Sequence, residues 1–221
     1  MVEMALIDGD GFKKAIKEAK EQAKPRKFVE TVEMVVNFRN IDFKKPENRI
    51  EVQATLPKGR GKPVKIGIFA DKALAAELKK ADIVDRVITK EELLQMDKKS
   101  AKKLANEFDF FLAEPPLMKE IAKRIGGVLG PRKKMPRPAP PNVKAVETMA
   151  NALRNTVIIS NKKGKYLPVV HAPIGTVEMS EDDLAENAMA VYNAVVKKIP
   201  SEQNIRSIYV KTTMGPAVKV I

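Results

Sequence analysis

A chain of 221 residues can hold one large domain or two modest ones, and its 44% hydrophobic content, spread along the whole length, points to globular folding. Lys and Arg number 41 against 28 Asp and Glu, a formal charge of +13 that attracts polyanions, with nucleic acid and anionic membrane the obvious ones. Cys is absent and His171 is the only histidine, which excludes disulfides, thiolate zinc sites, cysteine nucleophiles and multi-histidine metal sites.

No stretch approaches the roughly 20 apolar residues that cross a bilayer. Met1 to Gly11 lacks the basic head and apolar core of a signal peptide, so a cytoplasmic protein without a membrane partner is expected. Along the chain, Phe12, Ala15, Ile16, Ala19 and Ala23 recur at helical spacing, with Asp10 as N-cap and Pro25 as stop. The period then changes to two. Val32, Met34, Val36 and Phe38, then Ile50, Val52, Ala54 and Leu56, alternate with polar residues as half-exposed antiparallel strands do.

The punctuated segment Pro57 to Pro63 reads as a linker. Beyond it the texture differs. Val64 to Phe69, Ile83 to Ile88 and Phe110 to Ala113 are apolar strands, separated by helical stretches at Lys72 to Ala81 and Glu91 to Asn106. A further helix covers Leu117 to Ile125. Such alternation argues for a parallel α/β unit. A proline-rich basic loop, Gly126 to Asn142, leads to a helix carrying Val143, Val146, Met149, Ala150 and Leu153.

Alternation at period two then returns. Thr156 to Ser160 and Tyr166 to His171 read as a hairpin through Asn161-Lys162-Lys163-Gly164. A helix with Leu184, Ala188, Val191 and Val195 follows, capped by Ser180 with Asp183 three residues on. Ile205 to Lys211 and Ala217 to Ile221 are the last strands. The expected fold class is mixed: a discontinuous α+β domain from residues 1–59 plus 156–221, with a Rossmann-like α/β domain, 60–155, inserted between them.

Four segments are candidates for chemistry. In Arg26-Lys27-Phe28-Val29-Glu30-Thr31-Val32-Glu33, which opens the first strand, an exposed Phe beside cations would pack on a ribose or base. Pattern alone favours the alternative, a buried Phe28 at a helix-to-strand corner, because most Phe residues are buried. In Lys211-Thr212-Thr213-Met214-Gly215-Pro216, a Gly flanked by hydroxyls permits close approach to an RNA sugar, although an ordinary turn has the same composition. The run Gly126 to Pro138 is the densest basic stretch, either a phosphate grip or a solvated loop. His171-Ala172-Pro173-Ile174-Gly175 ends a strand, and a structural role for the imidazole outweighs a catalytic one. Gly59-Arg60-Gly61-Lys62 lacks P-loop spacing, and no Gly-x-Ser-x-Gly elbow occurs.

Together the chain resembles the family of the first protein of the large ribosomal subunit, the universal stalk-protein family. The match lies in Lys27-Phe28-x-Glu30-Thr31-Val32-Glu33, Leu56-Pro57-x-Gly59-x-Gly61-Lys62, Leu129-Gly130-Pro131-Arg132 with Met135-Pro136, His171-Ala172-Pro173-x-Gly175, and Ser207-x-Tyr209-Val210-x-Thr212-Thr213-Met214-Gly215-Pro216, in that order. Lys133-Lys134 stand where bacterial forms carry Gly and an apolar residue, and Thr176 replaces a Lys. With the short termini, this looks like the archaeal branch.

The resemblance implies a ribosome-associated structural protein, monomeric when free, with no catalytic residue, metal or cofactor. Its implied partners are large-subunit ribosomal RNA, deacylated tRNA leaving the exit site, and its own messenger RNA. It places the central RNA contacts at Lys27, Phe28, Thr31, Thr213, Met214 and Gly215, supported by Glu30, Ser207 and His171. The segments from the two termini are expected to form one patch. The excess charge is shared between the terminal parts and the middle, so charge alone does not say which binds. A rival reading is a nucleotide-binding enzyme built on the Rossmann-like middle. It needs a Gly-rich turn after the strand ending at Phe69, where the chain has Ala70-Asp71-Lys72-Ala73. A second rival, a basic architectural protein on DNA, predicts indifference between structured ribosomal RNA and duplex DNA.

Overall fold

The computed structural model describes residues 9–221. Helix α1 (Gly9–Glu21) precedes strands β1 (Thr31–Phe38) and β2 (Glu51–Thr55). There follow β3 (Ile66–Ala70), α2 (Lys72–Ala81), β4 (Arg86–Thr89), α3 (Lys90–Gln95), α4 (Lys98–Glu107), β5 (Phe110–Ala113), α5 (Met118–Arg124), α6 (Gly126–Leu129), β6 (Arg137–Pro138) and α7 (Val143–Arg154). The chain closes with β7 (Thr156–Ser160), β8 (Lys162–Lys163), β9 (Lys165–Tyr166), β10 (Val169–Thr176), α8 (Glu181–Val196), β11 (Ile205–Thr212) and β12 (Ala217–Lys219). The fold class is mixed, with parallel and antiparallel sheets. Two compact units divide the chain: residues up to Lys62 together with Asn155–Ile221, and Pro63–Arg154.

In the unit made from both ends, β10, β1, β11 and β12 form an antiparallel sheet in that order. Strict alternation along β1 turns Val32, Met34, Val36 and Phe38 inward, where α1 and α8 cover them with Phe12, Ile16, Leu184 and Val191. The other face carries Glu33, Val35 and Asn37, with His171 and Tyr209 opposite Val35 and with Lys211 opposite Glu33. β2 pairs with β7 in a separate two-stranded ribbon.

The segment after β2 is fastened within this unit. The fully buried Asn187 of α8 accepts the Lys58 N–H at 3.0 Å and donates to Gly59 O and Ile174 O at 2.9 and 2.8 Å. Gly61, at φ 67°, presses so close that a Cβ would lie 2.6 Å from Thr176 Oγ1.

In the middle unit, β4, β3, β5 and β6 form an all-parallel sheet in that order, the arrangement of Rossmann-like units. β3 and β5 are buried at every position, as strands enclosed on both faces must be. Phe69, Leu104, Phe108, Phe111 and Ile121 meet in its core.

Several expectations need correction. Asp10 lies inside the first turn of α1 and is not its N-cap. The expected helix from Glu91 to Asn106 is two helices, because the Asp97 side chain caps a new start by accepting the Ser100 N–H at 2.8 Å. The basic loop holds a one-turn helix, α6, and an edge strand, β6. The hairpin through Asn161 to Gly164 closes only β8 on β9; β7 pairs with β2, and β10 pairs with β1. Asn161 separates them: its side chain accepts the Ile50 N–H and donates to Leu167 O, while Pro168 breaks the run before β10. The Ser180 cap of α8 is present, accepting the Asp183 N–H at 3.1 Å.

Candidate RNA-binding surface

β1 begins at Thr31, so Arg26 to Val29 precede the ladder as irregular chain. That placement decides Phe28. Its side chain has no facing strand to cover it and is 54% exposed, against the buried reading that pattern favours. Met214, in the turn between β11 and β12, is 60% exposed. Isolated large apolar side chains on a surface are common, but two beside clustered cations are a place for sugar and base to pack.

The two stretches are knitted together. Thr31 N–H donates to Thr213 Oγ1 at 3.1 Å, and that hydroxyl donates back to Thr31 O at 3.2 Å, extending the β1–β11 ladder one step by a side chain. Glu30, only 4% exposed, accepts the Met214 N–H on Oε1 at 3.2 Å. Lys211 Nζ donates to Thr213 O at 2.9 Å, and Lys62 Nζ donates to Thr31 Oγ1 at 2.6 Å. Gly215 lies outside the left-handed region; it is small because a Cβ would collide with Thr212 Oγ1. The turn is thereby fixed in shape before any ligand arrives.

Of the residues predicted for the site, Glu30, Thr31, Thr213, Met214 and Gly215 meet here, and Lys27 and Phe28 lead into it. His171 does not end a strand: it is the third residue of β10, the edge strand, on the open sheet face opposite Val35. Its Nδ1 lies 4.0 Å from Glu33 Oε2. Partial burial and the nearby Lys163 and Lys211 hold its pKa below the usual 6.5, with Glu33 acting the other way. Ser207 stands apart. It faces Asn37 at the far end of β11, accepts that amide at 3.1 Å, and is 8% exposed. Six residue steps of extended chain separate it from Thr213, about 20 Å. Lys62 and Lys211 were not among the predicted site residues. Alternation from Thr213 would have found Lys211, whereas the reach of Lys62 across a loop leaves no periodic trace.

The basic loop has internal work. Lys134 Nζ donates to Ala105 O and Phe108 O at 2.9 and 2.7 Å, capping the carbonyl end of α4. Arg132 donates to Val128 O at 3.1 Å, and the Arg137 guanidinium lies over the Phe110 ring, 5.8 Å from its centroid. At the carboxyl ends of β3 and β5, Glu114 Oε1 accepts the Asp71 N–H at 3.1 Å. Glu114 thus occupies a backbone N–H at the start of α2, the kind of donor on which a nucleotide phosphate would sit in such a sheet.

The profile described as the ribosomal protein L1p/L10e family matches residues 16–216. The chain belongs to this family. Among its relatives, the large ribosomal subunit protein uL1 of Thermococcus kodakarensis is 49% identical over 97% of this chain and 98% of its own length. That of Pyrococcus horikoshii is 49% identical over 97% of each, and that of Archaeoglobus fulgidus 49% over 98% of this chain and all of its own. These L1-family relatives are archaeal, in line with the branch that Lys133-Lys134 and Thr176 indicate. The family is one of structural ribosomal proteins and not of enzymes. Among the described residues, no helix is long and apolar enough to cross a membrane.

Proposed function

We propose that this L1-family protein is ribosome-associated and grips large-subunit ribosomal RNA through the surface where the start of β1 meets the β11–β12 turn. In this reading Lys27, Phe28, Thr31, Thr213, Met214 and Gly215 touch RNA, while Glu30 holds the turn from beneath. His171 and Ser207 extend the contact along the open sheet face. The terminal unit is the RNA-binding domain, and the middle unit is a Rossmann-like domain inserted into it. The protein stands on the mobile stalk, aids departure of deacylated tRNA, and represses translation of its own messenger by the same surface.

One observation carries the reading: Phe28 and Met214 are both exposed, and the segments that bear them are joined where Glu30 accepts the Met214 N–H and the Thr31 N–H donates to Thr213. Specificity then comes from shape and from hydroxyl and backbone contacts, and surrounding Lys and Arg add salt-sensitive affinity. A filter-binding competition at moderate salt between a large-subunit ribosomal RNA transcript and duplex DNA tests it. The RNA is expected to win. Thr213→Val with Met214→Ala should reduce RNA affinity at least about tenfold, or about 1.4 kcal/mol, and leave DNA binding unchanged. Equal losses on both would overturn the assignment.

A further inference from the structure

Beside the knitted turn lies an open cleft of about 560 Å³, within the size range of sites that hold small organic groups. Its walls come from the end of α1, the irregular approach to β1 and the turn after β10. Ala23, Pro25, Val29 and Val177 make the apolar lining, and the exposed Lys24, Arg26 and Lys27 outnumber the exposed Glu178 around them. Glu30 also lines it, so one buried carboxylate borders both the cleft and the Met214 turn. Ala23 borders the cleft on the turn side: its Cβ lies 3.8 Å from where a Cβ on Gly215 would stand, so cleft and turn adjoin. Lys20 is spent: its Nζ donates to Met179 O at 2.6 Å, and burial lowers its pKa.

We propose that this cleft receives one unstacked nucleotide of the bound RNA. The proposal rests on the RNA-binding reading above and adds a subsite to it. Charge complementarity points to the occupant. A slot of mixed lining, with apolar side chains inside and more cations than anions around them, suits a base whose phosphate stays outside, and the Phe28 ring beside it offers a face for stacking. Glu30 is an acceptor and not a donor, so it favours a base that presents amino or imino hydrogens. A base with only carbonyl groups toward it would be repelled. Single-stranded loops and bulges can splay out such a base, whereas duplex DNA cannot do so without losing its pairing and stacking.

The test fills the cleft from the turn after β10. Glu178 lines the cleft, is exposed and is a partner in none of the Thr31, Thr213 and Met214 hydrogen bonds, so Glu178→Trp adds bulk and leaves those donors and acceptors in place. Binding of a large-subunit ribosomal RNA transcript is measured with nucleotide-resolution chemical probing. Glu178→Trp should weaken binding about tenfold, the scale of one stacked base, and expose a single nucleotide that the wild type protects. Removing the base at that nucleotide should weaken wild-type binding equally and erase the difference between wild type and variant. Unchanged affinity and an unchanged protection pattern in Glu178→Trp would overturn the cleft while leaving the turn assignment intact. A Thr213→Val, Met214→Ala protein that still binds normally would instead overturn the turn.

Discussion

The backbone N–H of Met214 reaches Glu30 Oε1 across 3.2 Å, although 184 residues separate the two in sequence. The carboxylate is nearly sealed from solvent and the methionine above it is open. Buried acceptor and exposed side chain are thus two ends of one device, in which Glu30 shapes the turn that Met214 presents.

Removing that acceptor should therefore act on the turn first. Glu30→Ala removes the partner of the part-buried Met214 N–H, a cost of about 0.5–1.5 kcal/mol. Glu30→Gln keeps an oxygen at the same reach and should recover most of the stability. The denaturation midpoint and RNA affinity, measured on both variants, check this. If Ala and Gln behave alike, the hydrogen bond is not what the carboxylate supplies.

Gly215 gives an independent handle on the same turn. Its close neighbour is Thr212 Oγ1, a fully buried hydroxyl oxygen with no hydrogen-bond partner. Gly215→Ala should destabilise by about 1–3 kcal/mol through overpacking. Thr212→Ala removes the atom in the way, so Thr212→Ala with Gly215→Ala should be more stable than additivity allows. A double-mutant cycle on unfolding free energies measures the coupling, and strict additivity would show that the clash is relieved elsewhere.

Much of this was visible in the residues. The period-two run of β1 and the helix Lys72–Ala81 emerge from local pattern, because each side chain's burial follows from its own neighbours in sequence. Strand pairing was not so visible. β7 was expected to pair with the nearby Tyr166 to His171 run, yet it pairs with β2, Glu51 opposite Ser160, a choice made by tertiary packing. Phe28 was misjudged by pattern because hydrophobicity says nothing of where a ladder begins. The family resemblance placed it correctly at the surface. Ser207 shows the reverse: it shares the predicted segment with Thr213, but the strand's length carries it to the other end of the sheet.

His171 supplies a pH-dependent readout. Its pKa lies below 6.5, first from partial burial and then from Lys163 and Lys211, opposed by Glu33. Folding therefore keeps the proton off. The stability linked to this group is present above the unfolded value near 6.5 and is lost as pH falls from there through the lower folded value. RNA phosphate at the open sheet face acts in the opposite sense, raising the pKa and drawing in a proton. Affinity for RNA should increase as pH falls from about 8 to about 6, by at most about tenfold for each unit that the midpoint rises. NMR titration of the single imidazole should give a free midpoint below 6.5 that moves up with RNA, and His171→Gln should abolish the pH dependence. A midpoint that RNA does not move would remove His171 from the contact surface.

Lys134 and Lys27 should separate the two uses of positive charge. Lys134 Nζ is consumed by Ala105 O and Phe108 O at the end of α4, so Lys134→Met should cost about 1.5–3 kcal/mol of stability in the middle unit. Its effect on RNA affinity, measured below the melting range, should be small. Lys27 is exposed beside Phe28, so Lys27→Ala should leave the melting midpoint in place and weaken RNA binding. The slope of log affinity against log salt should also fall by about 0.7–0.9, the signature of one lost phosphate contact. The reverse outcome would move the phosphate grip to the basic loop, because charge density there exceeds that around Phe28 and only its internal hydrogen bonds argue against it. Denaturation curves and salt-dependent binding on the same two preparations decide between the assignments.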